Sequence, residues 1–400
     1  MEKNVFIGCL VVFAGVFCGP GGTQLSEVVT ASPEAASPYL KWANGPSQDV
    51  GFFPIAVWLQ NPSKARQYKE AGFNTYVGLW RGPTAEQLAT LKKAGMKVIC
   101  HQNAVGLRHA DDATIVGWMH GDEPDNAQSL GKGKGYGPPI QPEKIIEDYE
   151  RIRKNDPTRP VLLNLGQGVA WDGWHGRGVR TNHPEDYPEY VKGCDIASFD
   201  IYPAVHSKPQ VAGNLWYVAR GVERLVKWTQ GEKVVWNCIE CTRIHNPTTK
   251  ATPKQVRCEV WMSIIHGSMG LIYFVHEWEP RFNESALLSD AEMLSAVTTI
   301  NEQIRELAPV LTNPTEEGRV SVAVDNQNVP VATMVKRHGH ATYVFAVAMR
   351  KGTTEATFKM RDMRGATRIE VLGEDRRLSP EDGVFKDRFD EWDVHLYRIE

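Results

Sequence analysis

Little in this chain of 400 residues points to a charged partner, a disulfide framework or a nucleotide loop. The formal net charge is −3, and the basic excess that a nucleic-acid surface needs is missing. Cysteine is sparse. Five residues lie beyond the N-terminal segment (Cys100, Cys194, Cys238, Cys241 and Cys258), and an odd number does not suggest a disulfide framework. Cys238 and Cys241 have CxxC spacing, but no second pair or histidine partner completes a zinc set. No GxGxxG opens a helix; the Gly131–Gly137 run is a Lys/Gly loop with no strand immediately before it. No cofactor is expected.

The N-terminus reads as an export signal over residues 1–18. Lys3 supplies positive charge, and Val5 to Phe17 is an apolar run of h-region length, too short for a membrane span. Cys18 follows Gly15-Val16-Phe17, a loose match to a lipoprotein box, so a lipid anchor there is a variant of the same expectation. The expected location is secreted, periplasmic or cell-surface. Residues 19–50, rich in small residues and proline up to Pro46, read as a leader into the fold.

From Phe52 to Pro309 strand-like runs alternate with helix-like stretches. The expected strands are Pro54–Trp58, Thr75–Trp80, Lys97–His101, Ile115–Met119, Val161–Leu165, Asp195–Ile201, Val234–Ile239 and Leu271–Val275. Their middles are continuously apolar or small, as parallel strands covered on both faces require. Helices are expected between them, among them Thr84–Ala94, with Thr84 as cap and Gly95 as stop. Eight repeats of strand and helix predict a (β/α)8 TIM barrel over residues 51–312, with a doubly wound open sheet as competitor. After Pro309 the runs are short and turn-punctuated, which predicts a C-terminal antiparallel β-sandwich over residues 313–400.

Barrel active sites sit at the C-terminal ends of the strands. Polar and aromatic groups gather at those ends here: Trp80 and Arg81, His101, Asp122 and Glu123, Asp200 and Tyr202, Glu240, and His276 to Trp278. Glu123 and Glu240 each close an apolar run, and a carboxyl pair across one pocket is the minimal machinery for breaking a glycosidic bond. Their structural alternatives are a cap before Pro124 for Glu123 and an ion pair with Arg243 for Glu240. Asp200 is the rival carboxylate for a catalytic role. Trp171 and Trp174, in a Gly-hinged loop after strand five, suit either a sugar subsite or plain packing. Glu277 and Glu279 read as solvent-facing.

Gly117-Trp118-Met119-His120-Gly121-Asp122-Glu123-Pro124 and Trp236-Asn237-Cys238-Ile239-Glu240 resemble the strand-four and strand-seven motifs of the retaining glycoside hydrolases called clan A. The resemblance covers about Phe52 to Pro309. It implies a barrel hydrolase with Glu123 as acid/base and Glu240 as nucleophile, acting on a poly- or oligosaccharide by double displacement. It further implies that Arg81 and Tyr202 hold Glu240, and that Trp278 is a sugar platform. His101, Asp122 and Asp200 would complete the substrate contacts. The clan usually places Asn where Asp122 stands, which adds negative charge beside Glu123. Two other readings stand beside this one. A metal-dependent barrel hydrolase would use His101, His120, Asp122 and Asp200, though strand one lacks an HxH. A non-catalytic carbohydrate-binding barrel is the third.

Overall fold

In the computed structural model, residues 37–361 and 368–400 are described. The export segment, Cys18 and most of the expected leader lie outside them.

Nine short parallel strands form one sheet: β1 (Ile55–Trp58), β2 (Thr75–Val77), β3 (Lys97–His101), β4 (Ile115–Met119), β5 (Val161–Leu165), β6 (Ile196–Phe199), β7 (Val234–Val235), β8 (Asn237–Glu240) and β9 (Leu271–Phe274). The order runs β7-β6-β5-β4-β3-β2-β1-β9-β8. β7 and β8 are one strand interrupted at Trp236, with β7 paired to β6 and β8 to β9. The split strand therefore closes the ring, and the sheet is an eight-position barrel as expected. Strands covered on both faces need apolar residues throughout, and β1, β2, β4, β5 and β6 are buried at every position.

The crossover helices follow the local signals. Ala85–Ala94 begins at a Thr84–Gln87 capping box and ends at Gly95 in the left-handed region. Between β3 and β4 the helix shrinks to Ala104–Arg108, and between β5 and β6 it is replaced by 3-10 turns and the single turn Tyr187–Tyr190.

Residues 37–50, read above as leader, are packed against the barrel instead. Tyr39 and Trp42 are buried, and the Tyr39 hydroxyl donates to Met269 O (2.7 Å) while accepting from Trp236 Nε1 (2.9 Å). Met269 lies just before β9, and the segment also bonds to Thr158 O and Glu232 O just before β5 and β7, so it closes the floor of the barrel.

Two antiparallel sheets follow: β10 (Val320–Val324), β11 (Val331–His338), β12 (Ala341–Ala348), β13 (Thr354–Met360), β14 (Ile369–Val371), β15 (Arg376–Leu378), β16 (Val384–Phe389) and β17 (Val394–Ile399). They are ordered β10-β13-β16 and β11-β12-β17-β14-β15. β15 (Arg-Arg-Leu) and β16, with Lys386, Asp387 and Arg388 in succession, are rich in charge and escaped the sequence reading. The larger sheet covers the helix Pro253–Ile265. Trp261 stacks on Phe345 (5.3 Å), Arg257 donates to Val394 O (2.8 Å) and Lys254 pairs with Asp393 (2.7 Å). That helix is buried on nearly all sides, so it has no polar face of its own.

Candidate active site

Three of the turns that leave the C-terminal strand ends are held in the left-handed region by residues with side chains. Leu59, Arg81 and Glu123 have φ of +45°, +54° and +43°. Such conformations cost on the order of 1–3 kcal/mol each and gather where geometry matters more than stability.

The carboxyl groups converge at the ends of β4 and β6. Glu123 and Asp200 approach within hydrogen-bonding reach, with Asp122 and the fully buried Asp125 close behind. Burial and the neighbouring charges of Asp200 and Asp122 hold the Glu123 carboxyl well above the usual carboxylate range. Burial likewise pushes Asp200 up to about 7. Asp200 Oδ1 and the Tyr202 hydroxyl are buried without a well-formed hydrogen bond. Two carboxylates cannot bond to each other, whereas a protonated Glu123 supplies the donor. The pair therefore titrates as a unit that keeps a proton near neutrality.

A polar layer beneath orients the cluster. Asn164 Nδ2 of β5 donates to Asp122 Oδ1 (2.9 Å), and the Asn164 carbonyl accepts from Ser198 Oγ of β6 (2.7 Å). Cys238 of β8 lies at 3.6 Å from the same carbonyl, and its thiol is pushed up by burial and then by Asp200, Asp122 and Glu123. Gly166, just after β5, makes room: a Cβ there would stand 2.8 Å from Asn126 Nδ2 and 3.0 Å from Glu123 Oε1. Asp125 is structural, accepting from Gly166 N (2.8 Å) and the Tyr187 hydroxyl (2.9 Å).

Glu240 keeps different company. It has no accessible surface, and its two oxygens accept from Ala204 N (2.6 Å) and Val205 N (3.0 Å) in the loop after β6. Its side-chain neighbour is the equally buried Glu259 of the helix Pro253–Ile265. The structure thus joins Glu123 to Asp200 and Glu240 to Glu259. Backbone amides, rather than Arg81 and Tyr202, hold Glu240. Arg81 is exposed with its guanidinium 5.8 Å from the Trp80 ring, and Tyr202 lies beside Asp200. Nor does Arg243 act on Glu240, whose partners are the two amides and Glu259.

Aromatic walls flank the carboxyl cluster on two sides. After β5, Trp171 and Trp174 lie 6.1 Å apart and both pack on His206, while Trp174 Nε1 donates to Asn126 Oδ1 (2.8 Å). On the other side Tyr202 meets Phe274 (5.2 Å), Phe274 stacks on Trp278 (5.5 Å) and Trp278 meets Phe282 (6.0 Å). This ladder leads from Asp200 to a cavity of about 790 Å³ lined by Trp80, Trp278, Phe282, His276 and the Gln60 turn. Trp80 and Phe282 are more than 60 % exposed in it. His101 is exposed at the end of β3, whereas His120 is buried and bonded to Gly193 O (2.8 Å). Among the described residues no group of three His, Cys, Asp or Glu is arranged to hold a metal ion.

Sequence reasoning missed Asn164, Glu259, Phe274, Phe282 and His206. Asn164 and Glu259 left a signal: each is a lone polar residue in an apolar run (Val161-Leu162-Leu163-Asn164-Leu165; Cys258-Glu259-Val260-Trp261).

The architecture is shared with solved structures. One is an alpha-amylase from Geobacillus thermoleovorans complexed with acarbose, 10 % identical, covering 88 % of this chain and 99 % of its own, with a TM-score of 0.51. Another is AmyP in complex with maltose, 9 % identical over 88 % of this chain and 97 % of its own, with a TM-score of 0.52. At such identity the likeness establishes the barrel and the appended β-domain. No family model matches the chain, and no curated protein matches it.

Proposed function

We propose that the protein is a glycoside hydrolase that cleaves an O-glycosidic bond, with Glu123 as the acid and Asp200 as the carboxylate facing it. The observation that carries this reading is the close Glu123–Asp200 pair at the C-terminal end of the barrel, where burial and neighbouring charge raise the Glu123 carboxyl. Such a couple serves general-acid departure of an alcohol and attack at the anomeric carbon. Inverting enzymes hold their carboxyls about 6.5–9.5 Å apart to admit a water, whereas retaining pairs are closer. The near approach of Glu123 and Asp200 leaves no gap for an inverting water and so suits double displacement, with the bound sugar parting the two groups to about 5–5.5 Å. Asp200 forms the glycosyl ester while Glu123 protonates the leaving oxygen; Glu123 then deprotonates the water that releases the sugar. Glu240, nominated as nucleophile by the clan resemblance, has no accessible surface, and both its oxygens accept from backbone amides. The aromatic walls support a carbohydrate ligand, because indole and phenyl faces pack on the C–H faces of pyranose rings. That AmyP holds maltose on the same architecture adds weight. The apolar run Val5–Phe17 supports export, and Cys18 just after it supplies a thiol for lipid attachment.

The test is a panel of poly- and oligosaccharides with product sizing, run on the native protein and on Glu123→Gln, Asp200→Asn and Glu240→Gln. Loss of turnover with retained sugar binding in the first two supports the assignment. Full activity in Asp200→Asn alongside a dead Glu240→Gln would return the nucleophile to Glu240.

A further inference from the structure

Resting on the reading of Asp200 as a member of the reacting pair, we infer that Glu240 and Glu259 are positioning residues: a proton held between these two buried carboxyls fastens the loop that presents Asp200 to Glu123. Glu240 sits at the end of β8, Glu259 mid-way along the helix behind it, and neither has accessible surface. Glu240 spends one oxygen on Ala204 N and the other on Val205 N. Those amides belong to the stretch from Asp200 to His206, which also carries Tyr202 and ends in the His206–Gln167 contact (2.8 Å) beside Trp171. Asn246 Nδ2, donating to Val205 O (2.9 Å), is the loop's only other side-chain tether to the turn after β8 among the described residues.

Among the described residues Glu259 has no hydrogen-bond partner unless it donates to Glu240. The groups facing the pair are Cys241 on the strand side and Cys258 on the helix, both thiols, and among the described residues no Lys, Arg or His acts on either carboxyl. With no cation to neutralise a second negative charge, the arrangement is stable with one proton and unstable with none. Burial and the Glu240 charge push Glu259 well above the usual range, while the two amides restrain the rise of Glu240. Glu259 is thus the proton carrier and Glu240 the anion that grips the loop. Loss of the proton at alkaline pH puts two charges side by side in an apolar interior, and their repulsion displaces Glu240 from Ala204 N and Val205 N.

The experiment is amide exchange at Ala204 and Val205 between pH 6 and 10, expressed as protection against the free-chain rate, in the native protein, Glu259→Gln and Glu259→Leu. Protection of these two amides is expected to fall at least tenfold across the alkaline range in the native protein while other barrel amides hold. Glu259→Gln donates to Glu240 but cannot titrate, so its protection stays flat; Glu259→Leu is poorly protected throughout. Where turnover is measurable, the alkaline limb of kcat should move up by at least one pH unit in Glu259→Gln. PH-independent protection in the native protein overturns the inference, as does a fall that persists in Glu259→Gln. Because exchange needs no substrate, it can fail or succeed independently of the glycosidase assignment. An intact exchange response without effect on kcat would overturn the link to Asp200 alone.

Discussion

Replacing Asp200 by Asn should stabilise the protein while silencing it. In the folded chain burial raises the Asp200 carboxyl from its ordinary 3.8 to about 7. Between those values the unfolded chain has lost the proton and the folded chain keeps it, so stability falls as pH rises from about 4 to 7 and levels off above. The full displacement corresponds to about 4 kcal/mol. Water at the half-open site and the proton shared with Glu123 reduce this to about 2 kcal/mol. Asparagine keeps the shape, accepts from a protonated Glu123 and carries no charge. The variant should therefore match the native protein at pH 4 and gain about 2 kcal/mol by pH 8, read as a thermal midpoint a few degrees higher. Relief of Glu123 acts in the same direction. Turnover should fall by a factor of at least 10³. Stability lost equally at all pH values would refute the placement of Asp200 in a desolvated carboxyl cluster; gain without loss of activity would refute its chemical role.

Other substitutions probe separate parts of the site. Gly166→Ala has ordinary backbone angles but presses on Asn126, itself fixed by Trp174, and on Glu123 Oε1; kcat should drop ten- to a hundredfold with a stability loss of about 1–2 kcal/mol, measured by steady-state kinetics and melting. Trp278→Ala should raise KM for oligosaccharides by about tenfold with the fold intact by circular dichroism, since one ladder face is lost. Tyr39→Phe leaves Met269 O and Trp236 Nε1 unpaired in the barrel floor; denaturation should show about 1–3 kcal/mol lost and kcat unchanged.

The barrel was legible because its strands are continuous apolar runs separated by capped helices, and both signals are local. The ends of β3, β4 and β5 match the expected residues. The split at Trp236 was not legible, since a fully buried tryptophan in a run of valines reads as more strand. The β-domain was seen in outline, while β15 and β16 were hidden by their charges: Arg376 and Asp387 satisfy each other across the sheets at 2.7 Å, a pairing that no local pattern announces. At the site, position along each strand foretold which residues reach the C-terminal end, but not where their carboxyls turn. Glu123 and Asp200 lie 77 residues apart and met as expected of strand ends, whereas Glu240 was diverted by two amides and a glutamate in the following helix. That diversion depends on the trajectory of the Tyr202–His206 loop, which sequence spacing does not encode.

The helix Pro253–Ile265 lies between two layers and wets neither face. Trimming the chain near residue 312 to obtain a free-standing barrel would strip Trp261 of Phe345 and leave Arg257 without Val394. The bared strip would be oily and contiguous, the kind of surface on which molecules stick together. The same cut would loosen the backing of Glu259, so the C-terminal lobe is part of the barrel's own packing rather than a removable passenger.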